Sequence, residues 1–315
     1  MTKYLVAFFT ILNLSAQEKV ENNSDFPVLK GPYLGQKSPG KTPEIFAPGI
    51  ISTGANEHCF PAFSPDGKEI FWSIYEQNFQ TVYHMKQDSN GVWSKPVTAW
   101  FSDEVSAGNV AFNLSGDKIF LSTDADVNGE GELDPDGDIW VMEKVDNGWS
   151  EKKSLGSPLN TEFMEFFPYL TRNNTMYLQG SLKQIRKGPI EEIFDSYGIF
   201  KSEYVNGTYQ NKVPLNNKIN SQYRDWHPCV DSEETFLIFS SNRPGGQGSM
   251  DLYISFIGSD GDWDTPINIG SDINTKAQER FAALSPDGKF LFFNRGGGEI
   301  FWVDAGFIEE LRPKN

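Results

Sequence analysis

Two cysteines in 315 residues, Cys59 and Cys229, are too few for a disulfide framework, so packing and hydrogen bonds must hold the chain. A single bridge stays open to them, although they lie beside the first strands of separate repeats. Histidine is almost as scarce: His58, His84 and His227 are the whole supply, and no His-Glu-x-x-His zinc signature can be made from them. Gly-x-Ser-x-Gly, Cys-x-x-Cys and a Ser-His-Asp order are missing too, which leaves serine hydrolases, zinc ribbons and zincins without support. Basic residues are outnumbered 27 to 43 by acidic ones, for a net charge of −16, and form no stripe. A nucleic-acid partner is thereby excluded. The apolar run Tyr4 to Leu14 is too short to span a bilayer, so membrane insertion is not expected. Long stretches of helical apolar spacing are also lacking.

That one apolar run has a different meaning. Lys3 precedes it and Ser15-Ala16 follow it before Gln17, which reads as a signal peptide over residues 1–16 with no following cysteine to take a lipid anchor. The sequence therefore predicts a periplasmic or secreted protein, in which residues 17–42, rich in Gly and Pro, form an N-terminal arm.

What the chain does have is 29 Gly, 18 Pro and 25 Phe, the makings of many short strands joined by tight turns. They are arranged in a repeat. His58-Cys-Phe-Pro-Ala-Phe-Ser-Pro-Asp-Gly-Lys-Glu-Ile-Phe-Trp-Ser73 returns in altered form at Asn109 to Ser122, Glu165 to Leu178, Trp226 to Ser240 and Glu279 to Phe293. Each copy reads as a hairpin, because Pro-Asp-Gly sets a turn that needs positive φ at Gly and the flanks alternate apolar residues. A third strand follows each hairpin, as at Asp138 to Met142 and Asp251 to Ile254. The segments Gly91-Val-Trp93, Asn147-Gly-Trp149, Asn206-Gly-Thr-Tyr209 and Asp262-Trp263 mark fourth strands.

Four strands per repeat make a propeller blade, and the fold class is all-β: a single propeller of five four-stranded blades over residues 43–303, with a C-terminal tail at 304–315. Blade five lacks its fourth strand, and the segment from Pro43 to Ile51 is predicted to supply it by pairing beside Glu299 to Trp302, so that no edge is left open. A sixth blade would need residues 18–42 to form a degenerate repeat.

The Phe63-Ser-Pro-Asp-Gly-Lys68 turn, its near copy at 284–289 and Ser240-Ser-Asn-Arg-Pro-Gly-Gly-Gln-Gly-Ser-Met-Asp-Leu-Tyr253 resemble the WD40-like repeat of TolB-type propellers, also called PD40. The resemblance implies the propeller fold but little chemistry, since such repeats serve periplasmic scaffolds, sugar-acid lyases and peptidase-associated domains. Similarity to the propeller lyase that cleaves oligogalacturonates would imply a metal held by histidines and a glutamine. The chain departs from that pattern, with three histidines in all and His84 on a third strand, away from the axis.

First strands line a propeller's axis, so the residues just before each hairpin should share one space. That geometry gathers Glu57, His58, Glu165, Arg224, Asp225, His227, Glu279 and Arg280, a set suited to a divalent cation or a polar ligand such as a sugar. Ligand binding falls to Glu57, His58, Arg224, Trp226 and Arg280, with arginine forks for carboxylate or sulfate and Trp226 as a stacking face. Glu165, Asp225, His227 and Glu279 are the candidates for catalysis, because a glycosidase needs two carboxylates across the scissile bond. The plainer account is that these side chains pair with one another in a water-filled channel.

Asp124, Asp126, Asn128 and Glu130 open like a calcium loop, but Pro135 stands where a helix–loop–helix site needs Glu. Ca²⁺ wrapped by a strand-to-strand loop is the one cofactor the sequence offers, and a solvated insertion is the alternative. Ser241 to Ser249 is Gly-rich but joins two strands, so it reads as a wide loop tied by Asp251, not a phosphate cradle. The expectation is a monomer that binds a carbohydrate or a protein partner, with a glycoside hydrolase or polysaccharide lyase as the alternative.

Overall fold

The computed structural model describes residues 26–77, 79–102, 106–123, 137–146, 148–183 and 189–314. Five sheets stand around one axis, each with four strands along its hydrogen-bonded path, and they form a five-bladed propeller. Blade one comprises Ala62–Phe63, Glu69–Glu76, Phe79–Lys86 and Val97–Thr98. Blade two comprises Ala107–Phe112, Lys118–Thr123, Asp138–Val145 and Lys153–Ser154. Glu165–Leu170, Met176–Ser181, Tyr197–Ser202 and Val213–Pro214 build blade three. Asp225–Val230, Phe236–Ser241, Asp251–Phe256 and Ile267–Asn268 build blade four.

Blade five joins Glu279–Leu284, Phe290–Arg295 and Glu299–Asp304 to the N-terminal strand Glu44–Ile45. The register is Glu44 opposite Trp302 and Ile45 opposite Phe301, which is the closure expected from the sequence. Phe46, fully buried next to that strand, packs edge-on to Phe292 at 5.0 Å and seals the junction of blades five and one. Leu34 and Tyr33 of the arm join the same cluster, and Trp93 donates its indole N–H to the Gly31 carbonyl at 2.8 Å. The arm thus straps blade one to the closing strand.

The outer strands differ from expectation in position. Trp149 and Tyr209 pair back on Lys144 and Tyr204, and Trp93 and Trp263 on Gln87 and Ile257, so the aromatic segments form only the first leg of the return. The strand that completes each sheet starts four or so residues later, where the chain has bent back along the blade. Trp93, Tyr209 and Trp263 are buried in this way under the blade edge, a better use of their apolar area than an exposed outermost strand.

One backbone feature recurs in every inner strand or, in blade one, just before it. Cys59, Asn109, Phe167, His227 and Phe281 take φ of 90°, 54°, 54°, 54° and 56°, although none is glycine. In blades two to five this residue begins the shift in register against the second strand, a bulge that turns its side chain off the sheet's alternation. Such φ values cost on the order of 1 kcal/mol each, so the ring must hold them by packing. The residue aimed by the bulge points to the axis.

The C-terminal tail carries one short helix, Phe307–Leu311, whose Ile308 joins the core between blades four and five. Cys59 and Cys229 are both buried and free. Residues 1–16 and the acidic stretch Asp124 to Glu130 lie outside the described residues.

Candidate functional site

Aromatic side chains close the axis at the level of the bulges. Phe281 meets His227 at 4.1 Å, Phe167 at 5.3 Å and His58 at 4.8 Å between ring centroids, so side chains from blades one, three, four and five form one plug. Burial drives His58 down to about 4 and His227 well below the usual imidazole range, with the Arg280 charge adding to both. Both rings are neutral at pH 7. His227 Nδ1 lies 3.2 Å from Ser240 Oγ, and its backbone N–H donates to Gln179 Oε1 at 3.3 Å.

One residue earlier along each inner strand stands a second ring, made of His58, Gly108, Phe166, Trp226 and Arg280. Four of its members are half-buried and form the mouth above the plug, while the Gln80 amide covers Gly108, where a Cβ would meet it at 2.2 Å. The Arg280 guanidinium lies over Phe281 at 5.0 Å. Trp226 is flanked by Arg224 at 5.3 Å and by Phe194 edge-on at 5.7 Å, so one of its faces is already covered. Arg224 itself is held by Asp195 at 2.8 Å and by Glu191, on and beside the short helix Ile190–Phe194.

The carboxylates begin each strand and turn the other way. Glu165, Asp225 and Glu279 are 0–1% exposed, and each accepts the backbone N–H and the hydroxyl of a Thr or Ser four residues earlier: Thr161, Ser221 and Thr275. The residue before that hydroxyl reaches the neighbouring blade. Asn160, Asn220 and Asn274 each bond both the N–H and the C=O of one residue in the preceding blade's third strand, namely Ile139, Ile199 and Leu252. Lys212 pairs with Glu165, Arg243 with Asp225 at 2.6 Å and Arg295 with Glu279 at 3.0 Å, and these cations also bond the Leu159, Ile219 and Ile273 carbonyls.

These acids therefore act as inter-blade staples. Burial raises Glu165 above the usual carboxylate range in spite of Lys212. Glu57 follows the same plan, with Oε1 accepting from Thr53 N–H at 2.7 Å and Oγ1 at 2.8 Å, but Ile74 stands where Arg295 stands in blade five, and Glu57 Oε2 has no partner among the described residues. The pattern was written in the sequence as Leu159-Asn-Thr-Glu-Phe-Met-Glu165, Ile219-Asn-Ser-Gln-Tyr-Arg-Asp225 and Ile273-Asn-Thr-Lys-Ala-Gln-Glu279. These segments lie upstream of the hairpins that define the repeat.

Of the predicted ligand set, the structure brings His58, Trp226 and Arg280 to one mouth, joined by Phe166 and Gln80, and places Glu57 behind it. Asp124, Asp126, Asn128 and Glu130 lie outside the described residues, and among those described no group of three or more His, Cys, Asp or Glu is placed to hold a metal. Asp251 does tie the Gly-rich loop, accepting from Gly248 N–H at 3.0 Å and from Gln247 N–H. The opposite, hairpin end of the axis holds a well of about 400 Å³ lined by Phe60, Tyr169, Arg172 and the alanines Ala62, Ala111 and Ala283. Its cause is legible at one inner-strand level, where those three small residues share the ring with Tyr169 and Cys229.

No family model matches the chain, and no curated protein matches it. Solved structures resemble it in fold. An α-L-arabinofuranosidase from Lactobacillus brevis aligns over 78% of this chain and 86% of its own, at 14% identity and a TM-score of 0.46. A GH43_12 retrieved from capybara gut metagenome aligns over 88% and 56%, at 15% identity and TM-score 0.46. The gluconolactonase XC5397 from Xanthomonas campestris aligns over 88% and 98%, at 12% identity and TM-score 0.41. The chain spans about a third of a prolyl endopeptidase that it also matches, 35% of that chain. At these identities the likeness concerns the propeller alone.

Proposed function

We propose that this chain is an extracytoplasmic PD40-type propeller, exported by residues 1–16, that binds a carbohydrate-type ligand at the mouth formed by His58, Phe166, Trp226 and Arg280 without converting it. The observation that carries the reading is the division of labour along the inner strands. Every acid proposed for catalysis is withdrawn into a staple, and the next residue is left half-buried around an aromatic floor. Aromatic walls with a few polar groups are what sugar rings need for stacking and hydroxyl recognition. A hydrolase would instead need two carboxylates reaching a common bond, one of them free to give a proton.

The test is an array of neutral and acidic oligosaccharides read for binding, with chromatography of each mixture for products. Saturable binding without products is expected, and Phe166→Ala should weaken it by about tenfold, the cost of one well-placed contact, while the variant remains folded. Product formation that Glu165→Gln abolishes while the variant stays folded would replace this reading with the enzyme.

A further inference from the structure

We infer that the ligand of the axial mouth carries an anionic oxygen group, a carboxylate or a sulfate, and that Arg280 is the residue that receives it. This rests on the binding reading above and adds the charge of the ligand.

Among the described arginines, Arg172 pairs with Glu233, Arg224 with Glu191 and Asp195, Arg243 with Asp225, Arg295 with Glu279 and Arg312 with Glu309. Arg280 is the exception. No carboxylate or carbonyl of the described residues bonds it, and its one recorded contact of this kind is the Phe281 ring. In a chain with 43 acidic and 27 basic residues, leaving this one guanidinium without an anion is not a shortage of carboxylates. Glu57, the carboxylate one residue from the mouth ring in blade one, turns back to Thr53.

The guanidinium is half-buried with no carboxylate among the described residues to balance its charge, and burial pushes its proton affinity down. The histidines beside Arg280 are neutral and do not compete for an anion. An oxyanion on a sugar ring would meet the guanidinium as a two-bond fork while the ring lies against the aromatic wall.

The experiment is titration calorimetry on the mature chain with trigalacturonate, galactose 6-sulfate and uncharged galactotriose, for wild type, Arg280→Gln and Arg280→Lys. At least one acidic probe should bind about tenfold or more tighter than galactotriose, the scale of one charge-assisted pair. The two acidic probes separate carboxylate from sulfate. Arg280→Gln should erase that preference without lowering the melting temperature, and Arg280→Lys should keep part of it, because lysine has the charge but not the fork. Equal affinity of wild type for acidic and neutral probes overturns the inference and leaves the binding reading intact. Binding of none overturns both. Retained preference in Arg280→Gln, or a fall in its melting temperature, assigns the guanidinium elsewhere and also overturns it.

Discussion

Four acids open the inner strands of blades one, three, four and five, and their environments decide what each can do. Asp225 takes bonds from Ser221, Ser241 and Arg243, which fill both of its oxygens. Asp225→Asn keeps the shape but leaves Arg243 buried beside a neutral amide. The expected loss is about 3 kcal/mol, the usual cost of breaking a buried pair, read as a lower urea midpoint. Glu165→Gln should fall in the same way, whereas an acid kept for catalysis would leave stability nearly unchanged. Glu57 offers the converse. Ile74→Arg would place a cation opposite it at the register where Arg295 serves Glu279, and should raise stability by about 1 kcal/mol.

At the scale of elements, the propeller depends on two residues of strand far from the rest in sequence. Glu44–Ile45 closes blade five, and Phe46 follows with its ring buried among Phe63, Phe292 and Trp302. Phe46→Ala removes that ring and leaves a cavity at the seam, which should cost about 3–5 kcal/mol. Because the seam joins first and last blades, the variant should melt in one transition at lower temperature; an unchanged melting curve would mean that the ring holds without its closing strand. The hairpin turns were legible because Ser-Pro-Asp-Gly has local causes: Ser64 Oγ accepts from Glu69 N–H at 2.9 Å while Gly67 takes φ of 69°. The outer strands were misplaced because their aromatic marks record burial under the blade edge, which is a tertiary demand.

The whole ring is locked at its centre by two histidines that must stay neutral. Both are depressed in the folded state, His58 to about 4, so the unfolded chain binds protons first as pH falls from 6.5. Their contribution is fully present above 6.5 and is lost progressively toward pH 4, at about 1 kcal/mol per pH unit for each ring. Glu165, raised by burial, works in the opposite direction near its own range. Urea midpoints at pH 7.0, 6.0 and 5.0 should therefore decline, and His227→Gln should flatten the slope. A midpoint indifferent to pH over that window would show that the histidines are not held neutral.

By itself the sequence determined the five repeats, their turns, the all-β architecture and the closure by residues near 44, because strand alternation and turn chemistry are local and repeated five times. The gathering of His58, Trp226 and Arg280 was also within its reach, since position in a repeat sets position on the axis. Which way each side chain faces was not. The bulge at Cys59, Asn109, Phe167, His227 and Phe281 breaks the two-residue alternation by one step, and that step sends the carboxylates into staples, the aromatics into a plug and Arg280 to the mouth with no carboxylate partner among the described residues. Only packing among five blades could impose it, because each left-handed residue is unfavourable on its own and is stabilised by neighbours that no single repeat contains.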